Sequence, residues 1–290
     1  WKEAELSSVE TEPQSLYSMQ ARIVGLDFTH RPCEAAYLPL GHDYAGAPDQ
    51  LPLEDTLAQL KPLLEDPTLP KVGQNLKYDR SVLLNHDIEL RGIRFYTMRE
   101  SYVLDSTGSR HDMDTLSLKY LGLNPIRFED VAGKGKKQLT FNQVPVETAA
   151  PYAAEDADLV LRLHQTLYPR LKQFEKQCEL LENIEMPLLP VLSRIERTGE
   201  RADSDMLARQ SSELSERIAI LEQQDFDQVG TDFNIASPKQ IQELLYEKLQ
   251  LPVISKTPKG QPSTSESVLQ ELAEQHELPK LILEHRALSK

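Results

Sequence analysis

Apolar residues fall into two kinds of pattern along this chain, short strand-like runs first and long helical stripes later. Ala21 to Thr29 and Glu34 to Leu38 are apolar runs parted by His30-Arg-Pro32, which predicts a hairpin. Leu6 to Glu12 is a weaker strand, with Val9 and Thr11 on one face and Glu10 and Glu12 on the other. Leu53 to Leu64 has the period of an amphipathic helix, and Lys71 to Gln74 reads as a short strand feeding a helix from about Asn75. Residues 91 to 95 are a further short strand, followed by helical stretches near 97 to 106 and 112 to 121. Strands alternating with helices after a hairpin predict an α/β layer fold with a mixed sheet flanked by helices.

Residues 125 to 143 carry neither period. A helix then runs from Pro151 to about Pro169, with Pro151 expected at its first position, where a missing N–H is no loss. From about Gln173 the chain changes character. Residues 178 to 197, 203 to 224, 238 to 249 and 265 to 274 are helical by period, broken at Gly199, at Gly230 and in the Lys256 to Pro262 loop, with N-cap candidates at Ser263 to Ser265. The expected division is an α/β domain over 1–172 and a mainly α region over 173–290, whose helix pair with a basic tip reads as a clamp or interaction arm.

Acidic residues sit where the pattern calls for apolar ones. Tyr152 and Asp156 are four residues apart, so they share a helix face with Val160, Leu163 and Leu167. An ionised, unpaired carboxylate on that stripe costs several kcal/mol or more, so it must be neutralised, paired or bound to a cation. A solvated acidic first turn, with Glu155, Asp156 and Asp158 at the positive end of the helix dipole, is the other reading. Asp79 repeats the anomaly, since Leu76, Asp79 and Leu83 fall on one helical stripe. Glu10 and Glu12, two residues apart on a strand, point the same way and can share a cation, although a solvated strand edge is the more ordinary reading of that spacing taken singly.

The composition narrows the chemistry. A net charge of −14 argues against a diffuse, charge-driven nucleic-acid binder, but a carboxylate cleft that holds divalent cations is acidic by necessity. Seven histidines without metal-ligand spacing and two cysteines, Cys33 and Cys178, without a C-x-x-C leave oxygen as the ligand of any metal, which favours Mg²⁺ or Mn²⁺. No signal peptide and no apolar run of about 18 residues is visible, so a cytoplasmic protein with no membrane partner is expected. Ala132-Gly-Lys-Gly-Lys-Lys137 lacks the Gly-Lys-Ser/Thr of a P-loop, and reads as a solvated loop or a backbone-binding one.

At Lys71-Val-Gly-Gln-Asn-Leu-Lys-Tyr-Asp79-Arg, Arg110-His-Asp-Met-Asp114, Ala132-Gly-Lys-Gly-Lys and Tyr152-Ala-Ala-Glu-Asp156-Ala-Asp, the sequence closely resembles the 3′→5′ proofreading exonuclease domain of the bacterial DNA polymerase I family, the Klenow-type enzymes of family A. Glu182-Asn-Ile-Glu-Met-Pro187, Phe233-Asn-Ile-Ala-Ser-Pro-Lys-Gln240 and Lys256-Thr-Pro-Lys-Gly-Gln-Pro-Ser-Thr-Ser265 resemble the start of the polymerase domain and its thumb. The resemblance implies an RNase H-like exonuclease fold and a two-metal-ion removal of 3′-terminal nucleotides from single-stranded or frayed DNA. It implies two divalent cations, Mg²⁺ or Mn²⁺, single-stranded or primer-template DNA as partner, and a monomer without the polymerase active site.

By position in those motifs, Glu10, Glu12, Asp79 and Asp156 are the implied metal ligands, with Glu12 and Tyr152 catalytic, Tyr152 orienting the attacking water. Leu16, Gln74, Asn75, Arg110, Phe128, Lys134 and Lys136 are the implied DNA contacts, Leu16 wedging and Phe128 stacking on the terminal bases. By residue type alone, Leu16 and Phe128 are core candidates. The sequence departs from the family pattern at Glu10, which stands where the first strand aspartate belongs, and nearby at Ser7, Pro13 and Tyr96. A catalytically weakened or silent domain kept as a DNA-binding scaffold is the second reading; an RNA-trimming relative like RNase D is a third, which lacks the thumb-like region.

Overall fold

The computed structural model describes residues 4–108, 110–230 and 233–289. The chain divides into two compact units, Trp1–Gly199 and Glu200–Lys290.

The first unit is built on a five-stranded sheet of β1 (Ser7–Pro13), β2 (Ile23–Arg31), β3 (Glu34–Pro39), β4 (Lys71–Gly73) and β5 (Ile93–Tyr96), in the order β3-β2-β1-β4-β5. β1, β2 and β3 are antiparallel neighbours, whereas β4 and β5 join in parallel, which makes the sheet mixed as the alternation predicts. The hairpin turns at residues 32 and 33, where Cys33 takes a positive φ of 65° and gives its N–H to Asp158 Oδ1 at 2.6 Å. One sheet face carries Val9, Leu26 and Phe28, packed with Leu57, Leu64, Leu76, Val82 and Leu83 of α1 (Leu53–Leu64) and α2 (Leu76–Leu84). Because side chains alternate along a strand, the other face of β1 and β2 carries Glu10, Glu12, Gly25 and Asp27.

That second face is covered by a long helix. After α3 (Thr97–Leu104), α4 (Met113–Leu116, continued by a π turn at Ser117–Leu121) and α5 (Phe128–Ala132), the chain enters α6 (Val146–Leu171). α6 packs across β1, β2 and β3. It begins at Pro145 and not at Pro151, so Pro151 lies inside the helix, exposed and without the N–H that would meet Glu147 O. Pro145 supplies the preset φ of −56° and its carbonyl accepts from Thr148 and Ala149, so the start signal is the earlier proline. The correction matters chemically. Asp156 stands about three turns inside α6, beyond the reach of the helix dipole's positive end, which removes the acidic-first-turn reading. Its two neighbours are otherwise engaged, Glu155 with Ile126 N–H and Asp158 with Cys33 N–H and Arg162. α7 (Glu175–Leu180), a π turn (Leu181–Glu185) and α8 (Met186–Thr198) complete the unit.

The second unit is helical: α9 (Ser204–Val229), α10 (Pro238–Gln242, continued by a π turn at Glu243–Lys248), α11 (Glu266–Leu272) and α12 (Glu277–Leu288). Its core joins Ile235, Ile241, Leu244, Leu245, Val268, Leu269, Leu272, Leu278 and Ile282. α12 has no counterpart among the sequence-predicted helices; His276 restarts a helix the period treats as finished. Ser265 does stand at the N-cap of α11, but its hydroxyl meets Ser267 and does not cap the helix.

Candidate functional site

Parallel strands β1 and β4 pair only at Ser7–Lys71 and Ser8–Val72, then part. Beyond the split, the N–H groups of β1 on that side have no ladder partner, and the crevice opens beside β1 just past the carboxyl end of β4. α2 starts directly across it. Asp79, in the first turn of α2, fills the vacancy: its Oδ1 accepts from Thr11 N–H at 3.1 Å and from the Thr11 hydroxyl at 2.7 Å. Oδ2 of Asp79 is buried with no hydrogen-bond partner.

Glu10 and Glu12 lie on the same face of β1, and both are 9% exposed. Glu10 Oε1 accepts from Gln74 N–H at 2.5 Å across the split. Gly73 makes this approach possible, since a Cβ there would lie 2.4 Å from Leu76 and 3.0 Å from Glu10 Oε1. Asp156 enters the same face from α6 and is held by the Tyr152 hydroxyl one turn earlier. Tyr152 is half-buried against Phe128 and Phe141, with ring centroids 6.3 and 5.9 Å away, which fixes the direction of its hydroxyl.

The electrostatics follow from packing acids together out of water. Burial, with repulsion from neighbouring carboxylates, pushes Glu10 and Glu12 well above the usual carboxylate range. Burial raises Asp79 to about 7 and Asp156 to about 8. What lowers them are neutral donors (Gln74 N–H for Glu10, Thr11 for Asp79, Tyr152 for Asp156), and no lysine or arginine is among the causes for these four. Tyr152 is itself raised, first by burial and then by the charges of Asp156 and Glu12.

Sequence reasoning overlooked Asp27. It lies directly across β2 from Glu10, is fully buried, and neither carboxylate oxygen has a partner beyond a weak contact with its own backbone N–H. The signal was present, because an aspartate inside Ile23-Val-Gly-Leu-Asp27-Phe is the same acid-in-an-apolar-run anomaly that marks Asp79 and Asp156.

The structure brings Glu10, Glu12, Asp79, Asp156 and Tyr152 to one end of the sheet, and the remaining residues divide. Leu16 is 93% exposed in the loop after β1, so it is not core. Gln74 is buried, its amide spent on Thr97 and on His111 O at 2.9 Å, and Asn75 accepts from Tyr96 at 3.1 Å. These two side chains hold the crevice wall. Arg110 is exposed and pairs with Asp112 at 3.0 Å. Phe128 is partly buried and stacks near Phe141 at 6.4 Å, next to Tyr152. Lys134 and Lys136 are exposed, Lys134 pairing with Glu129 at 2.6 Å.

The donor set suits a hard divalent cation: oxygens only, an excess of negative charge, and orphaned oxygens on Asp79 and Asp27. The arrangement is not closed, since among the described residues no group of three or more His, Cys, Asp or Glu is disposed to hold a metal ion. Glu10 and Asp79 each spend one oxygen on a protein donor, and Oδ2 of Asp79 stays without one.

Over residues 2–172 the chain matches the family model described as 3′-5′ exonuclease, and over residues 204–290 that of DNA polymerase family A. It is 56% identical to DNA polymerase I of Pseudomonas aeruginosa over 292 residues, which covers 100% of this chain and 32% of that protein. With DNA polymerase I of Rhizobium leguminosarum the identity is 44%, covering 98% of this chain and 30% of the relative. The chain thus spans about a third of the length of the curated relatives it matches. Among solved structures, the POL domain of Pol1 from M. smegmatis in complex with DNA primer-template and dNTP superposes with a TM-score of 0.75 at 22% identity, over 99% of this chain and 45% of that one.

Proposed function

Since this chain belongs to the 3′-5′ exonuclease family and continues into sequence of DNA polymerase family A, we propose that its first domain, residues 1–172, removes 3′-terminal nucleotides from single-stranded or frayed DNA. The region from 173 to 290 is then the beginning of a polymerase domain with thumb-type helices. The observation that carries this reading is the convergence of four buried acids and one tyrosine from β1, α2 and α6 on the split between β1 and β4.

Phosphodiester hydrolysis needs an activated water and neutralised charge on the leaving 3′ oxygen, and two bound Mg²⁺ or Mn²⁺ ions would supply both. Glu12, Asp156 and Glu10 would hold the ion on the water side, and Asp79 with Glu10 the one on the leaving-group side. Tyr152, its ring clamped by Phe128 and Phe141, aims its hydroxyl beside Asp156 and orients the attacking water. Leu16, bare in the loop after β1, would separate terminal bases, while Phe128, Arg110, Lys134 and Lys136 would offer stacking and phosphate contacts. A 5′-labelled single strand incubated with the chain and Mg²⁺ or Mn²⁺ should shorten from its 3′ end, and chelator should stop it. No shortening in either metal would reject the reading.

One observation favours a second reading, a weakened or silent domain retained as a DNA-binding scaffold. Glu10, at the position expected to touch both ions, is tied to Gln74 N–H. Single-strand binding without metal-dependent cleavage would be its result.

A further inference from the structure

Asp27 has none of the ordinary reasons for an acid to be buried. It lies in the middle of β2, where it can cap no helix and close no turn. Its strand neighbours Leu26 and Phe28 pack on the apolar face with Val9, so its own side chain emerges on the opposite face, between β1 and α6. That is the face of Glu10 and Glu12. Asp27 is fully buried, and both of its oxygens lack a hydrogen-bond partner. Leaving a carboxylate so placed costs several kcal/mol unless something satisfies it, and no basic side chain is among the influences on it.

The charges that act on Asp27 most strongly are those of Glu12, then Asp156, then Asp79. α6 comes down on this region with fully buried alanines at 153 and 157 bracketing Asp156, so helix and sheet approach closely there. Glu10 and Asp79 each commit one oxygen to a protein donor, Glu10 to Gln74 N–H and Asp79 to Thr11. Asp27 has only a weak contact with its own backbone N–H to give up. We propose that Asp27 is a metal-ligating carboxylate of this centre, joining Glu12 and Asp156 around one divalent cation, so that the chain uses five carboxylates and not four. The inference rests on the metal-dependent reading above and adds a ligand to it. Small divalent cations take six oxygens, so four carboxylates, Glu10 included, each giving one oxygen still leave positions for water and a phosphate oxygen.

The test is direct Mn²⁺ binding to the whole chain, by calorimetry and by the electron-paramagnetic signal of free Mn²⁺, for wild type, Asp27→Asn, Asp27→Ser and Asp156→Asn. Loss of a residue that merely supports a ligand costs about 10–100-fold in affinity, so loss of a ligand should weaken the tighter Mn²⁺ site at least tenfold. Both Asp27 variants should show that loss while keeping, in chelator, a thermal midpoint at or above wild type and single-strand binding within roughly twofold, as expected when a carboxylate without protein partners is removed. Isotherms of the Asp27 variants that superimpose on wild type, with Asp156→Asn impaired, would overturn the Asp27 assignment alone. A wild type that binds no Mn²⁺ would overturn both this and the metal-dependent reading. Failure of both Asp27 variants to fold in chelator while wild type folds would also overturn it, since a ligand is dispensable to the metal-free fold.

Discussion

Replacing Glu10 by aspartate tests both the architecture of the split and the chemistry assigned to it. In the structure, Glu10 Oε1 reaches Gln74 N–H at 2.5 Å, across a gap that Gly73 keeps open. Removing one methylene withdraws the carboxylate by about 1.5 Å, which stretches that contact beyond about 3.5 Å and out of hydrogen-bonding range. The buried Gln74 N–H loses this acceptor, at a cost of about 1–3 kcal/mol. Without metal, the first unit should therefore melt earlier, by roughly 2–4 °C for each kcal/mol lost. Freed from Gln74, the shorter carboxylate sits back on the face of Glu12 and Asp156. Misplacements near 1 Å cost on the order of 10²-fold in rate, so Glu10→Asp should raise cleavage at least about tenfold, worth about 1.4 kcal/mol at the transition state, with little change in DNA affinity. The assays are a thermal melt in chelator and single-turnover digestion of a labelled single strand in Mn²⁺. A melt unchanged from wild type together with a flat or lower rate would refute the reasoning, because it would mean that β1 already sets glutamate at the working distance.

Asp156→Ala should abolish cleavage while single-strand binding stays within a few fold, because phosphate and stacking contacts carry the affinity; digestion and fluorescence anisotropy measure the two separately. Phe128→Ala should weaken binding of a 3′ end by about 1–3 kcal/mol. Since Phe128 also packs against Phe141 and Tyr152, a fall in melting temperature of the same size would assign it to the core. In chelator, stability should fall as pH rises. Asp79 and Asp156 are raised from 3.8 to about 7 and about 8, so the native state holds more protons than the unfolded chain across that window, and stability present near pH 4 is lost through pH 8. Melts from pH 5 to 8 check this; Mn²⁺ should flatten the slope, and a stability that rises over the same range would contradict it.

How much of this was legible beforehand depends on the kind of interaction. Strands at 23–31 and 34–39 and the helix at 53–64 are written in local pattern, the strands as short apolar runs parted by a turn signal and the helix in its 3.6 period. The start of α6 was not, since Pro145 and Pro151 are both candidate start signals, and only the packed helix, with Pro145 at its N-cap, distinguishes them. Nor was α12, whose signal is interrupted at His276. Asp79 and Asp156 were visible as acids on apolar stripes, and the motifs around them carried the family.

The sequence by itself therefore determined the mixed α/β fold followed by helices, the family, and which acids are out of place, because each of these depends on residue type and spacing along the chain. Tertiary structure alone decided that β1 and β4 part after Ser8, that Asp79 fills the gap by binding Thr11, that Glu10 is tied to Gln74, and that Asp27 is stranded opposite it. These depend on strand register and on how closely a helix lies on a sheet, and register is a relation between distant segments that local patterns do not encode.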